Sequence, residues 1–340
     1  MTPCYPRPEK MRVAAILGLG TSMRELNAFR SPGIEMVMGL PATRGELEAI
    51  LILGGDGTLH RHLRVLVALQ LPVLVVPAGS GNDFARALGL FRERDSLEAW
   101  ATFLSERRSV RAVDLGIITQ IDSAGGAAEF VQEPAADGRG RPSLHRQAAA
   151  EKTTYFSCAA GVGLDGEIAR RANLLPRWLR AHGGYALSLP AALLRFRPFA
   201  LQLATAESAH SEFTPRTPQF ITDAVFANTS VYGGGMKIAP RAKLDDGQLD
   251  VCLIRDISKL KLLSVFPSVY FGRHLGLREV DYFSSAAARI ETAPSLDVYA
   301  DGEYVCRTPV QIGVAKSALR VIVPDRANPH WDAANIVATV

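Results

Sequence analysis

No uninterrupted apolar stretch in this 340-residue chain is long enough to cross a bilayer, a crossing that takes about 20 such residues. The segment Met1 to Lys10 also lacks the apolar core of a signal peptide. The expectation is a soluble or peripheral protein of the cytoplasm. Cysteine is sparse: Cys4, Cys158, Cys252 and Cys306 stand apart with no C-x-x-C spacing, which argues against a zinc site and a disulfide framework and suits a reducing compartment. Charge of either sign is also weak. Lys and Arg total 38 against 34 Asp and Glu, a formal net charge of +4 with a pI near 8.9. That excess is too small to argue for nucleic acid, yet compatible with visits to an anionic membrane surface. Two common nucleotide-binding signatures are missing as well. No G-x-x-x-x-G-K-[ST] occurs, and Gly18-Leu19-Gly20-Thr21-Ser22 fails to complete G-x-G-x-x-G because Met23 stands at the third glycine position.

What is present begins with 48% hydrophobic residues, ample for packed cores, and a length whose natural reading is two domains. The organising stretch is Ala49 to Arg64. The apolar run Ile50-Leu51-Ile52-Leu53 stops at Gly54-Gly55-Asp56-Gly57-Thr58, and Leu59, Leu63, Leu66 and Val67 then fall on one helical face. This predicts a buried parallel strand, a glycine turn and a helix. Glycines let a backbone approach a bound group closely, and N–H groups at a helix start suit an anion. The turn reads as a phosphate cradle carrying one carboxylate, Asp56.

Before it, Arg12 to Leu17 reads as a first strand. After it, Pro72 to Val76 reads as another, leading through Pro77-Ala78-Gly79-Ser80-Gly81-Asn82-Asp83 into the short helical pattern Phe84 to Leu88 with Gly89 as its stop. Leu97, Trp100, Ala101 and Leu104 mark an amphipathic helix, and Val110 to Ile118 a strand with Asp114 in mid-run. Alternating strand and helix argues a parallel, doubly wound sheet whose ligands gather beyond the carboxyl ends of the strands. Asp56 and Asp83 lie at such ends. Residues 121–152 are rich in Ala, Gly, Pro and Gln without periodicity and read as a mobile insertion. Beyond them Tyr155–Ala160, Gln219–Asn228, Leu249–Ile254, Leu296–Ala300, Pro309–Val314 and Leu319–Val323 read as strands of a β-rich second domain. One helical stretch, Glu167 to Arg197, fits either a membrane interface or packing on the sheet; Ser258 to Phe271 reads as a core helix. Ala300-Asp301-Gly302-Glu303 is a strong hairpin signal, and Lys243-Leu244-Asp245-Asp246-Gly247-Gln248 is either an acidic turn or a nest for a hard cation.

In their order, Gly54 to Thr58, Gly79 to Arg86, Gly161-Val162-Gly163-Leu164-Asp165, Gly233-Gly234-Gly235-Met236 through Gly247, and Asp301-Gly302-Glu303 resemble the diacylglycerol kinase and sphingosine kinase family of soluble lipid kinases, in its bacterial form. The resemblance implies an α/β plus β fold of the NAD kinase and diacylglycerol kinase kind, a doubly wound N-terminal α/β domain with a C-terminal β-sandwich. Residues 10–118 would be the nucleotide-binding domain, with 325–340 as a candidate completion, and 119–324 the lipid-substrate domain. It further implies ATP as phosphoryl donor, Mg2+, a lipid hydroxyl as acceptor with diacylglycerol first, and work at the membrane surface. Asp56, Asp83 and Asp114 would hold the catalytic magnesium through water. Gly54, Gly55, Gly57, Thr58, Gly79, Ser80, Gly81 and Asn82 would cradle ATP, with Arg86 neutralising phosphate charge. Glu303 matches the general base, and Asp246 with the carbonyls of Lys243 and Gln248 matches a structural magnesium site.

The chain departs from the family pattern in three places. His60 and Arg61 replace the usual Asn-Glu, Gly18 to Ser22 replaces Asn-Pro-x-Ser-Gly, and residues 121–152 have no family counterpart. NAD kinases share the glycine-aspartate turn, but the Gly-Asn-Asp-Phe-Ala-Arg string and the Asp-Gly-Glu hairpin favour a lipid acceptor. Sphingoid bases and ceramide are alternative acceptors, and a non-catalytic nucleotide- or lipid-binding regulator is the alternative of another class. The residues leave assembly open, with a homodimer as one candidate, and offer nothing for nucleic acid.

Overall fold

A computed structural model describes residues 10–106, 109–121, 153–175, 184–208 and 211–324. The insertion expected at 121–152 lies almost wholly outside these residues, and the segment 325–340 wholly so. The described residues divide into two compact units, one formed by those up to Ala112 together with 319–324, the other by those within Val113–Ala318.

In the first unit, β1 (Met11–Leu17), β2 (Ile34–Met38), β3 (Leu47–Gly54) and β4 (Val73–Pro77) form a parallel sheet in the order β4-β3-β1-β2. The end of β16 (Val310–Ile322) runs parallel beside β4, pairing Val321 with Val73. Among the described residues, the helices α1 (Met23–Asn27), α2 (Asp56–Leu69), α3 (Asp83–Ala87) and α4 (Glu93–Glu106) accompany these strands. The chain steps one way across the sheet from β1 to β2 and the other way from β3 to β4, so right-handed crossovers put α1 and α2 on opposite faces. That reversal makes the sheet doubly wound, with its switch point between β1 and β3. Strand β3 is buried from Ala49 to Gly54, as expected of a strand covered on both faces. Helix α2 buries Leu59, Leu63, Leu66 and Leu69, each contributing roughly 1.5–3 kcal/mol by removal from water. On α4, Trp100 is buried and donates from Nε1 to the carbonyl of Phe29 at 3.0 Å, which ties the helix to the end of α1.

The second unit is β-rich. Its strands are most of β5 (Val110–Gln120), β6 (Thr153–Phe156), β7 (Ala159–Gly163), β8 (Phe199–Ala206), β9 (Thr214–Pro215), β10 (Gln219–Ala227), β11 (Leu249–Arg255), β12 (Val280–Ser285), β13 (Ala287–Ala293), β14 (Asp297–Ala300), β15 (Glu303–Arg307) and the first part of β16. Strand β10 is the branch point. Asp223–Ala227 pair antiparallel with β7 on one side and β11 on the other, while Gln219–Ile221 pair with β8, which continues to β13 and β16. Period-two alternation then sorts the side chains. Ala224, Phe226, Val251 and Leu253 enter the sandwich core with Phe156, Phe199, Ile290 and Ile312. Val225, Ala227, Cys252 and Ile254 face a second core under α5 (Leu164–Leu174), α6 (Gly184–Arg195) and α7 (Lys259–Val265).

Several elements differ from the sequence expectation for local reasons. The strand expected over Tyr155–Ala160 is broken at Ser157 and Cys158, whose N–H groups are taken by the Asp301 carboxylate. Pro309–Val314 and Leu319–Val323 are largely one strand, β16, which runs on through Ser317 although that residue adopts φ 50°. Of the helical stretch expected over Glu167 to Arg197, the described residues carry α5 and α6, and residues 176–183 lie outside the described residues. The expected core helix Ser258–Phe271 gives way after Val265 to a 3-10 turn over Phe266–Phe271, with Pro267 at its start; proline cannot donate the N–H that α-helix continuation needs.

Candidate functional site

In the first unit the loops after β3 and β4 meet backbone to backbone. A Cβ added at Gly79 would stand 2.4 Å from Gly55 Cα, and one at Gly55 would stand 2.8 Å from Gly79 Cα. Only glycine at both positions allows this approach. Helix α2 starts at the Asp56 position, with Gly55 as an extended N-cap. The Asp56 carboxylate accepts the N–H of Asp83 on Oδ2 at 3.0 Å and that of Phe84 on Oδ1 at 3.1 Å, so the β3 loop is fastened to the start of α3. Gly81 lies against the same carboxylate, where a Cβ would be 2.7 Å from Oδ2.

The second loop is also held from within. Asn82 sits at φ 56°, in the left-handed region that Asn tolerates, and its amide accepts from Gly79 N–H at 2.8 Å and donates to Gly79 C=O at 2.7 Å. Asp83 is buried and its Oδ1 receives Arg86 Nη1 at 2.9 Å. Ser80 is exposed. Thr58 turns inward: a Cβ at Gly18 would meet its Oγ1 at 2.6 Å, and one at Gly54 would meet its Cβ at 2.8 Å. Gly18 N–H donates to Leu53 C=O at 2.7 Å, so Gly18 to Ser22 borders the switch point. Arg61, one of the two departures from the family pair, donates from Nε to Gly57 C=O at 3.0 Å.

In the second unit Asp114 is buried and holds two turns. Its Oδ2 accepts Gly247 N–H and its Oδ1 accepts Ser317 N–H, each at 2.7 Å. Its own N–H donates to Leu244 C=O at 2.6 Å. The Lys243–Gln248 turn is therefore built on Asp114, and Asp246 Oδ1 caps it by accepting Gln248 N–H at 3.0 Å. Gly247, at φ 72°, lies against Lys316. Among the described residues no three His, Cys, Asp or Glu side chains gather as a metal cluster.

The hairpin of β14 and β15 is fastened by a residue that sequence reasoning treated only as turn chemistry. Asp301, at φ 49°, accepts from Ser157 N–H at 2.8 Å, Ser157 Oγ at 3.0 Å, Cys158 N–H at 2.8 Å and Ala159 N–H at 3.3 Å. Asn173 Nδ2 donates to Gly302 C=O at 2.7 Å. Glu303 is thereby presented at the exposed start of β15 from a fixed tip. A cleft of about 360 Å³ lies beside β14, lined among others by Gly166, Arg170, Phe196, Leu296 and Tyr299.

A second acidic pair escaped the sequence reading as a site. Asp165 and Asp223 are buried; Asp165 N–H donates to Asp223 Oδ1 at 3.0 Å, and Tyr232 OH donates to Asp165 Oδ1 at 2.8 Å. Burial raises the Asp165 carboxyl from 3.8 to about 6, against the lowering effect of the Tyr232 hydroxyl. Burial first, then the charge of Asp165, raises Asp223 well above the ordinary carboxylate range. Gly161 makes room for this pair, since a Cβ there would fall 2.0 Å from Asp165 Oδ2. The Gly-Val-Gly-Leu-Asp string was the available signal.

One unit is a doubly wound α/β sheet with two glycine loops meeting near its switch point and the other is a β-sandwich, and comparison with known proteins gives this pairing of folds a family. Residues 25–118 match the diacylglycerol kinase catalytic domain, and residues 158–323 match the YegS C-terminal NAD kinase beta sandwich-like domain. The chain is 31% identical over 277 residues to a diacylglycerol kinase of Mycobacterium tuberculosis, covering 82% of this chain and 77% of that protein. It is 24% identical to a diacylglycerol kinase of Bacillus subtilis, covering 84% of this chain and 81% of that one. A crystal structure of a diacylglycerol kinase from Bacillus anthracis str. Sterne shares the fold, with a TM-score of 0.58 at 16% identity over 94% of this chain and 98% of that one. The chain belongs to the bacterial soluble lipid kinase family that carries the diacylglycerol kinase catalytic domain. It is a lipid kinase.

Proposed function

We propose that this kinase transfers the γ-phosphoryl group of ATP to the free hydroxyl of diacylglycerol, giving phosphatidic acid and ADP, at the cytoplasmic face of a membrane. The observation that carries the choice of acceptor is the 31% identity to the Mycobacterium tuberculosis diacylglycerol kinase across 77% of that protein. Residues 10–118 serve as the nucleotide domain and 119–324 as the lipid domain, with 121–152 as an insertion.

In this reading the touching glycine loops, Gly54 to Thr58 and Gly79 to Asn82, receive the triphosphate with backbone N–H groups, and Arg86 adds a cation to it. Thr58, turned toward Gly18 and Gly54, supports the loop through packing and contributes its backbone rather than its hydroxyl. Glu303 takes the proton of the lipid hydroxyl onto a carboxylate oxygen as that hydroxyl's oxygen forms its bond to the γ-phosphorus and the bond to ADP breaks. Magnesium fits the donor sets by chemistry, since the first offers carboxylates and the second a carboxylate with carbonyls, the hard oxygen ligands it prefers. Asp56, Asp83 and Asp114 would hold one ion through water. Asp246 with the carbonyls of Lys243 and Gln248 would hold a structural ion. When bound, the catalytic ion neutralises charge on the triphosphate.

An ATP-consumption screen with magnesium, over diacylglycerol, a sphingoid base and ceramide in mixed micelles, tests the reading. Diacylglycerol should turn over fastest. Turnover confined to another lipid alcohol would move the acceptor, and none with any lipid would overturn the proposal.

A further inference from the structure

Helix α7 and the 3-10 turn after it bury one face and leave the other uncovered. Ile257, Leu262 and Val269 enter the core beneath α5 and α6, whereas Leu260 is 83% exposed, Phe271 70% and Leu263 45%. Leu260 and Leu263, three residues apart, share the outward side of the helix. The stretch is braced on the start of β12: Lys261 Nζ meets Glu279 Oε1 at 2.6 Å, and Arg278 Nε meets the same oxygen at 3.4 Å. Arg255 Nη2 pairs with Asp281 at 2.7 Å. Ser258 Oγ caps the helix by accepting Lys261 N–H at 3.3 Å. These outward apolar side chains thus stand on a fixed platform.

The charges around them are unbalanced. Between Arg255 and Asp281 there are five cations, Arg255, Lys259, Lys261, Arg273 and Arg278, against three carboxylates, Asp256, Glu279 and Asp281, a net excess of two; Arg255 pairs with Asp281, and Lys261 and Arg278 with Glu279. The Arg273 guanidinium lies 5.8 Å from the Phe271 ring centroid, so a cation accompanies the outermost aromatic side chain. Phe220 adds another exposed apolar side chain at the foot of the helix, where its carbonyl accepts Asp256 N–H at 3.3 Å. A protruding apolar set with a basic surround is the pattern of an interfacial helix on an anionic bilayer.

We infer that the outward face of α7 and the following 3-10 turn docks this kinase on an anionic membrane, with Leu260, Leu263 and Phe271 entering the headgroup–acyl boundary. A second copy is the weaker occupant: a seven-residue helix is about 10 Å long, a small part of the roughly 800 Å² per partner of a stable interface. The inference rests on the proposed function only for the choice of a lipid surface.

The test uses the full chain and its Leu260→Ser/Leu263→Ser/Phe271→Ser variant, with a melting curve to establish that the variant is folded. Co-sedimentation is measured with vesicles of phosphatidylcholine alone and of phosphatidylcholine mixed with phosphatidylglycerol. The wild type should prefer the mixed vesicles, and the triple variant should partition at least about tenfold less. Lys259→Glu/Arg273→Glu, a second variant, should lose the preference for the anionic vesicles. Kinase activity on a short-chain diacylglycerol dissolved as monomers should survive in the triple variant, while activity on vesicle-borne diacylglycerol falls. Wild-type-like vesicle binding by the triple variant, or no vesicle binding by the wild type, overturns the inference. So does a wild-type dimer that the triple substitution turns into a monomer, which would make this face an interface between copies. Patch-dependent vesicle binding without kinase activity on either lipid form would overturn the proposed function and leave the docking surface standing.

Discussion

Asp56 and Asp83 are joined through the backbone: the Asp83 N–H donates to Asp56 Oδ2 at 3.0 Å while the Phe84 N–H takes Oδ1 at 3.1 Å. Asp56→Asn therefore does more than remove charge, because an amide can accept only one of these two N–H groups and turns a donor toward the other. Lipid phosphorylation should be lost almost completely, and stability should fall by about 1–3 kcal/mol. A kinase assay at saturating lipid and magnesium, with a melting curve on the same protein, checks both; near wild-type activity would remove Asp56 from the site.

Gly79→Ala places a methyl group against Gly55 backbone, which has no flexible end to move aside. The two loops must separate. A displacement near 1 Å at a phosphoryl-transfer site can cost about a hundredfold in rate, so turnover and ATP binding should both fall, with a lower melting temperature. Unchanged ATP affinity by calorimetry would show that the contact of the two loops has no part in holding nucleotide.

Glu303 and Asp301, two residues apart, should fail in different ways. Glu303→Gln should lower turnover by roughly a hundredfold or more, the scale of general-base loss, at an unchanged melting temperature. Asp301→Ala removes the acceptor of three backbone N–H groups and places alanine at φ 49°, and should cost on the order of 3 kcal/mol or more in stability. Glu279, which in sequence looks like an ordinary charged position, is no neutral control, since it pairs with Lys261 and Arg278; Glu291, exposed on β13, is the better choice. Wild-type turnover by Glu303→Gln, where chemistry limits the rate, would return that glutamate to an ordinary hairpin position.

Burial raises the Asp165 carboxyl from 3.8 to about 6, so the folded chain holds this proton more tightly than the unfolded chain. Its contribution to stability is present at low pH and lost as pH rises from about 4 to about 6. Asp165→Asn keeps an acceptor for Tyr232 and carries no charge to desolvate. Melting temperatures across this window should fall less steeply with rising pH than in the wild type, and at neutral pH the variant should melt no lower. An identical pH slope in the two proteins would contradict this account.

For the proposed structural magnesium site, Asp246→Ala should weaken the rise in melting temperature with added magnesium, because an ion that binds only the folded chain favours it by mass action. A magnesium titration superimposable on the wild type would leave the Lys243–Gln248 turn as a turn.

What the sequence determined by itself was what depends on near neighbours. The run Ile50 to Leu53, the glycines that follow and the leucine spacing of α2 are local signals, and so are Gly89 after α3 and the Asp-Gly hairpin; they dictate strand, turn and helix wherever the chain lies. What only the tertiary structure decided was which backbone each carboxylate serves. Asp301 reaches the N–H groups of Ser157 and Cys158 across more than 140 positions, Asp114 fastens Gly247 and Ser317, and Thr58 turns toward Gly18. The face that α7 leaves uncovered was equally hidden, since the leucines at 260, 262 and 263 are identical in composition and differ only in which side of the helix meets the core. A local pattern states what a residue can do, but its hydrogen-bond partner and its burial are set by segments far away in the chain, which only the packed fold brings within 3 Å.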